Sequence, residues 1–304
     1  PLMLYLFLTL IVIDLFRFLN RWLHIIPDSS TYSPVAVGIA VLIFVVGLIA
    51  YGVWNAHNTR ISHYEVDIHK DAAGINEMRV VLVSDIHIGS IIDKERVGRM
   101  VERVNSLNPD LIVMPGDLFD GDLSVYLEQN IYEEISSLQA TYGIFAVFGN
   151  HDYMGGISSE AQRLLLEAGV VVLRDEYRLV ADSFYVVGRE DWSLSMQGMR
   201  SRLDLADIMA DVDRAKPVLL LDHQPFNLAE GREQGVDLQL SGHTHRGQLF
   251  PFSIVTNMLF EQDWGYLNKD GTQLVVSCGY GTWGPPLRLN SVSEIVLVTV
   301  RFAK

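Results

Sequence analysis

The chain has 304 residues, a formal net charge of −14 and a single cysteine, Cys278. So acidic a protein repels a polyanion's backbone, which excludes generic nucleic-acid binding, and one thiol excludes both an intramolecular disulfide and a Cys-based zinc site. Asp14, Arg17, Arg21, Asp28 and Arg60 are the only charges up to position 60, so the acidic excess belongs to the rest of the chain and the two parts differ in kind.

The sequence opens on Pro1 rather than Met, which reads as a truncated chain. Pro1 to Ile13 is uncharged and apolar, and the pattern continues to Leu19 around Asp14 and Arg17. It has neither the basic start nor the small-residue cleavage site of a signal peptide. A membrane helix is expected over about 2–23, the later part of a longer bundle. Asp14 and Arg17 have the i,i+3 spacing of a pair, although a helix end reaching the interface is the simpler account. Pro34 to Trp54 gives a second span: 21 residues without a charge, where about twenty suffice to cross the hydrocarbon. Tyr51 and Trp54 end it at the level where aromatic residues favour the interface. Arg17 and Arg21 before this span balance Arg60 and Lys70 after it, so the side on which the large domain lies is undetermined.

From there the pattern changes. Ile61 to Asp67 alternates loosely, as an entry strand. Val80 to Val83 has no polar side chain to place on a solvated face and reads as a strand buried on both sides. Lys94 to Leu107 carries Val97, Val101 and Val104 at helical spacing and stops at Asn108-Pro109. Leu111 to Met114 is a second buried strand. Strand, helix, strand predicts a right-handed crossover with parallel strands, at whose carboxyl ends ligands bind. Further strands are expected over Gly143–Phe148, Val170–Leu173, Phe184–Val187, Pro217–Leu221, Val236–Leu240, Gln273–Cys278 and Ser293–Phe302. Helices are expected around Ile131, Ile135 and Leu138, over Ala161–Ala168 and over Leu203–Val212. The chain divides into a membrane segment, 1–57, and a folded domain, 58–304.

Five strand ends carry polar clusters: Asp85/His87, Asp117, Asn150/His151/Asp152, His223 and His243/His245. Residues i and i+2 on extended backbone point the same way, so Asp85 and His87 would leave their strand together as one oxygen and one nitrogen donor, half of a transition-metal site. Each cluster alone is weak, since a lone His at a strand end is more often structural and a Gly-Asp more often a turn or cap.

Together SDIH, PGDLFDG, FGNHD, LDHQP and SGHTHRGQ, in this order over about residues 79–250, resemble the calcineurin-like metallophosphoesterases. The resemblance implies an α/β fold, a four-layer sandwich of two mixed β-sheets flanked by helices, with two divalent metals at the strand ends. It implies Asp85, His87, Asp117 and His245 on one metal and Asp117, Asn150, His223 and His243 on the other, with Asp117 shared. Mixed nitrogen and oxygen ligands suit manganese, iron or zinc, and manganese is the first expectation. The implied reaction is in-line attack of a metal-bridging hydroxide on phosphorus. His151 is expected near the leaving-group oxygen as general acid or phosphate clamp, with Asp152 orienting it.

The run CGYGTWGPPLRL, Cys278 to Leu289, is similar to the closing segment of a membrane-associated bacterial branch of that superfamily. It implies Tyr280, Trp283 and Arg288 as a wall of the substrate cleft beside Asn150, with Arg288 on a phosphate. The expected function is that of a membrane-anchored phosphodiesterase at a bacterial cell membrane, acting on an envelope or lipid-linked phosphate ester. Its partners would be the membrane and a phosphorylated small molecule or lipid. Two other readings stand beside it. A metal-binding scaffold without turnover is opposed by the complete ligand set. The soluble part of a membrane transporter or sensor is opposed by the few polar residues in the two spans.

Overall fold

The computed structural model describes residues 1–25, 33–196 and 202–303. Two long helices come first, α1 (Leu2–Leu23) and α2 (Pro34–His57). The strands follow as β1 (Arg60–Asp71), β2 (Glu77–Leu82), β3 (Leu111–Pro115), β4 (Ile144–Val147), β5 (Val170–Val172) and β6 (Glu176–Val180). The later ones are β7 (Phe184–Gly188), β8 (Val218–Leu221), β9 (Leu238–Ser241), β10 (Gly265–Lys269), β11 (Thr272–Val276) and β12 (Glu294–Ala303). Between them lie α3 (Lys94–Ser106), α4 (Ser124–Glu128), α5 (Tyr132–Ile135), α6 (Ser158–Glu167), α7 (Ser193–Met196), α8 (Leu205–Ile208), α9 (Leu228–Glu233) and α10 (Phe252–Leu259).

Aliphatic runs that bury both faces need apolar partners on both sides, and two sheets with helices outside them supply those partners. The first sheet has the order β1-β12-β2-β3-β4-β5 and the second β10-β11-β9-β8-β7-β6. Val80 and Leu82 of β2 meet Leu219 and Leu221 of β8 in the core between the sheets. Val81 and Val83 point the other way, onto Val97, Val101 and Val104 of α3. On the far side Leu205 and Ile208 of α8 cover Val187, Val218 and Leu220. Helix, sheet, sheet and helix make the four layers. The expected crossover is present, since β2, β3, β4 and β5 run parallel. Both sheets are mixed: β12 is antiparallel to β2, and β6 and β10 lie antiparallel at the two edges of the second sheet.

Some elements differ from expectation. The apolar stripe of Ile131, Ile135 and Leu138 does not make one helix. Only the single turn α5 forms, with Ile131 capping its start and Leu138 lying beyond its end, and Asn130, at φ 53°, separates it from α4. The Leu203–Val212 pattern shrinks to the single turn α8. Helix α2 continues past Trp54 to His57, because its last turn lies against the domain, where Asn55 and Ala56 are buried.

Helices α1 and α2 are long and apolar enough to cross a membrane, and only 6% and 17% of their apolar windows are covered, so they are not core helices of the domain. Asp14 and Arg17 of α1 approach to 3.6 Å at i,i+3. Near the domain Tyr5 and Val45 pack with Leu287 and Leu289. The Asn55 amide donates to the carbonyls of Arg288 and Ser291 at 3.0 and 2.8 Å, and the Arg288 N–H donates to the Gly52 carbonyl at 3.0 Å. A Cβ at Gly52 would fall 3.1 Å from Leu289 Cγ, so glycine sets this close approach.

Candidate metal centre

Every residue expected in the centre lies at or just beyond the carboxyl end of a strand, and five of them are not on extended backbone. Asp85, His87, Asp117, His243 and His245 all have positive φ, from 46° to 72°. The alternation expected for Asp85 and His87 is therefore not what aims them. Two left-handed turns do so, pinned by hydrogen bonds from the Asp85 N–H to the Gly116 carbonyl and from the His87 N–H to the Asp117 carbonyl, each 3.0 Å. Non-glycine residues in this region cost of order 1–3 kcal/mol each and persist where the surroundings over-determine them. Glycine enters for another reason: a Cβ at Gly149 would stand 2.2 Å from Asp117 Oδ1, and one at Gly242 2.3 Å from Asp85 Oδ2.

The donors converge in two groups. Asp85, His87 and His245 form one: His245 Nε2 is 3.2 Å from His87 Nε2 and 3.3 Å from Asp85 Oδ1. Asp117, His223 and His243 form the other: His223 Nε2 is 3.3 Å from Asp117 Oδ2 and 3.3 Å from His243 Nδ1, and His243 Nδ1 is 3.0 Å from Asn150 Oδ1. Asp117 Oδ2 joins the two, lying 3.8 Å from His87 Nε2. Ligands about 2.1 Å from a tetrahedral ion stand about 3.4 Å apart, so these separations are the ones an ion between the donors would produce.

The electrostatics agree. Burial and the neighbouring His223 push His243 down to about 4, and burial with Arg288 pushes His245 well below its ordinary value. Both imidazoles are thereby kept neutral, the form that binds metal. Burial opposes ionisation of Asp117, yet His223 and His87 hold its carboxyl well below the usual range. His223 Nδ1 lies 2.8 Å from the Pro115 carbonyl, which makes it the donor and leaves Nε2 for the centre. Among the described residues, His87 Nδ1 is buried with no hydrogen-bond partner. His223 goes the other way: against burial, Asp117 and Asp85 raise it well above its ordinary value, so the buried carboxylates already draw positive charge into the site, and a convergent nitrogen and carboxylate set of this kind fits a pair of divalent cations.

His151 is half-buried beside the centre, its ring edge-on to His87 at 4.7 Å between centroids, and its backbone N–H donates to Asp117 Oδ1 at 2.8 Å. Its partner is not Asp152. That carboxylate is fully buried and accepts from the backbone N–H groups of Leu118, Phe119 and Gly149, tying the Asp117 and Asn150 loops together. Asp120 takes the expected place: its Oδ1 is 3.1 Å from His151 Nδ1 and 3.6 Å from His87 Nδ1. The hydrogen bond from His151 and the nearby His87 ring hold Asp120 well below the usual carboxylate range, and despite burial that carboxylate raises His151. PGDLFDG held the clue, a second carboxylate three residues after Asp117.

Asp117, Asn150, His151, His243 and His245 form one wall of a cavity of about 480 Å³, and Phe252, Val255, Phe260 and Trp283 form another. Trp283 is thus where a cleft wall was expected. Tyr280 and Arg288 are not. Tyr280 is buried and donates to the Arg96 carbonyl at 2.7 Å. Arg288 is 0% exposed, and its Nη2 lies against the carbonyls of Cys278, Gly279 and Gly281 and 3.1 Å from His245 Nδ1. A phosphate cannot reach it.

Residues 78–247 match the family model described as calcineurin-like phosphoesterase. An uncharacterized metallophosphoesterase of Aquifex aeolicus is 35% identical, over 83% of this chain and 95% of that protein. A transmembrane protein with metallophosphoesterase domain from Danio rerio is 30% identical, over 95% of this chain and 69% of that protein. Among solved structures, a dimetal phosphatase from Danio rerio has a TM-score of 0.42 at 13% identity, covering 69% of this chain and 89% of the other. The chain belongs to the calcineurin-like phosphoesterase family.

Proposed function

We propose that this protein is a membrane-anchored, dinuclear-metal phosphodiesterase that hydrolyses an envelope or lipid-linked phosphate ester at a bacterial cell membrane. Residues 1–57 are its membrane segment and 58–304 its catalytic domain. The observation that carries the reading is Asp117, whose Oδ2 lies between the two donor groups while His151 faces the same cavity.

Asp85, His87, Asp117 and His245 would hold one ion, and Asp117, Asn150, His223 and His243 the other, with manganese first in expectation and iron or zinc next. When bound, such ions lower the pKa of water and neutralise charge on phosphate oxygens. The chain supplies the rest. Asp120 accepts from the His151 Nδ1–H and favours the charged ring, whose Nε2–H passes its proton to the leaving oxygen, after which the neutral ring keeps its remaining proton on Nδ1. Asn150 and Trp283 border the bound ester. The two uncovered spans favour a membrane substrate.

The test is hydrolysis of bis(p-nitrophenyl) phosphate and p-nitrophenyl phosphate by the metal-stripped protein after manganese, iron or zinc is restored. Metal-dependent turnover of the diester, abolished by Asp117→Asn, is the expected result. Two bound metals without turnover of any ester would favour the scaffold reading instead.

A further inference from the structure

Helix α10 is built inside out for a helix in water. Its small polar residues face the protein: Ser253 Oγ accepts from the Asn290 amide, and Thr256 Oγ1 donates to Asp263 Oδ2, each at 2.7 Å. Its apolar residues face outward. Phe252, Ile254, Val255, Met258 and Leu259 are exposed, Met258 by 81% and Leu259 by 66%. A helix on an aqueous surface shows the reverse arrangement, and a contiguous exposed apolar face marks contact with another apolar phase. Phe250, just before the helix, and Trp283, on the neighbouring loop, extend the face.

The position of the helix says which phase. At the start of α1 the Tyr5 hydroxyl donates to the Phe250 carbonyl at 3.0 Å, and Leu249 packs with Leu287 and Leu289 against α1 and α2. α10 therefore starts beside the level at which the spanning hairpin meets the domain. One edge of this apolar face walls the cavity, where Phe252 and Val255 stand with Phe260 and Trp283 across from His151 and the metal ligands.

We infer that α10 lies in the plane of the membrane interface with Ile254, Met258 and Leu259 in lipid. The cavity opens beside it onto the bilayer. Acyl chains of a phospholipid-like ester then lie along Phe252, Val255 and Trp283 while the phosphate reaches the Asp/His cluster. The placement of α10 stands alone, and the path for the ester rests on the hydrolase reading above. Charge is not the driving force, because a chain with a net charge of −14 gains nothing from an anionic surface. Apolar burial is, so the contact persists in zwitterionic lipid and in salt.

The full chain in phosphatidylcholine nanodiscs provides the test. A nitroxide is placed on Met258→Cys, with Arg178→Cys on the distant edge strand β6 as control; the native Cys278 is buried. At 258 the label should collide more with dissolved oxygen than with a water-soluble nickel chelate, and at 178 the order should reverse, unchanged in about 0.5 M salt. A 258 label open to nickel overturns the placement. A label shielded from both reagents puts protein over α10, a second copy or a partner, and overturns it as well. This readout needs neither metal nor turnover, so its failure is distinct from failure of the hydrolase reading. For the path, Ile254→Asp/Met258→Asp changes residues outside the cavity wall. The variant should keep the parental rate on bis(p-nitrophenyl) phosphate and lose about ten-fold or more on a phospholipid ester in the nanodisc. Equal effects on both esters refute the path. A parent protein inert to both refutes the path together with the hydrolase reading and leaves the label result to decide the placement.

Discussion

Five of the expected ligands sit in left-handed turns, and this explains why their chemistry was legible in the sequence while their geometry was not. An Asp or His after an aliphatic run announces itself by type and spacing. The sign of φ at Asp85 or His243 depends on partners such as the Gly116 carbonyl and the Asp85 carboxylate, which come from other parts of the chain. Asp120 was missed for a related reason. In PGDLFDG it looks like turn chemistry, and only the fold brings it to His151. Asp120→Asn should leave metal content intact and lower turnover by about 10–100-fold, most for poor leaving groups. A Brønsted plot of kcat against leaving-group pKa for parent and variant checks it. His151→Ala should steepen the same plot further, and equal activity on good and poor leaving groups would remove that residue's role. Asp117→Asn should bind fewer than two metals per chain by elemental analysis; an unchanged stoichiometry of two would end the bridging assignment.

Among the elements, long and strongly patterned ones were readable, and edges and short pieces were not. The aliphatic runs of β2, β3, β4, β8 and β9 specify buried strands without help. Strand β6 alternates Glu176, Arg178 and Val180 at an edge, and β10 begins at Gly265, so neither has the composition of a core strand. Arg288 is the instructive failure. A sequence reader places an arginine near a phosphate, but here burial decides: its guanidinium ties three carbonyls together behind His245, and its backbone is bonded to α2 at both N–H and C=O. Arg288→Met leaves the carbonyls of Cys278, Gly279 and Gly281 without that donor and should lower the unfolding free energy by about 1–3 kcal/mol, measured by chemical denaturation. Asn55→Ala removes two buried hydrogen bonds from the same seam and should cost about 1–3 kcal/mol in unfolding free energy while leaving the substrate cavity unchanged.

At the scale of the molecule, two sheets meet face to face and deliver their loops to a common rim, so ligands from Asp85 to His245 gather although they are far apart in the chain. Metal binding should then report on global stability. A chelator should lower Tm, and manganese at about a hundred times its Kd should restore roughly 2.7 kcal/mol per site. Calorimetry with and without chelator checks this, and an unchanged Tm would mean that the donors do not hold a metal in the native fold. A difference in kind between the first sixty residues and the rest was visible in the charge distribution. The fusion of the parts was not, since Gly52, Asn55 and Arg288 carry no sequence sign of meeting one another.

That seam has a consequence for reach. A catalytic domain on a slack leash sweeps a volume and takes whatever drifts into it. Here the Gly52 carbonyl and the Arg288 N–H leave no leash at all. With α2 as the proposed span, that helix would be the post on which the centre is mounted, and the centre would work at one height and one tilt. The protein would thereby act as a ruler as well as a catalyst, sorting phosphates by their depth relative to the bilayer before any of their chemistry is read.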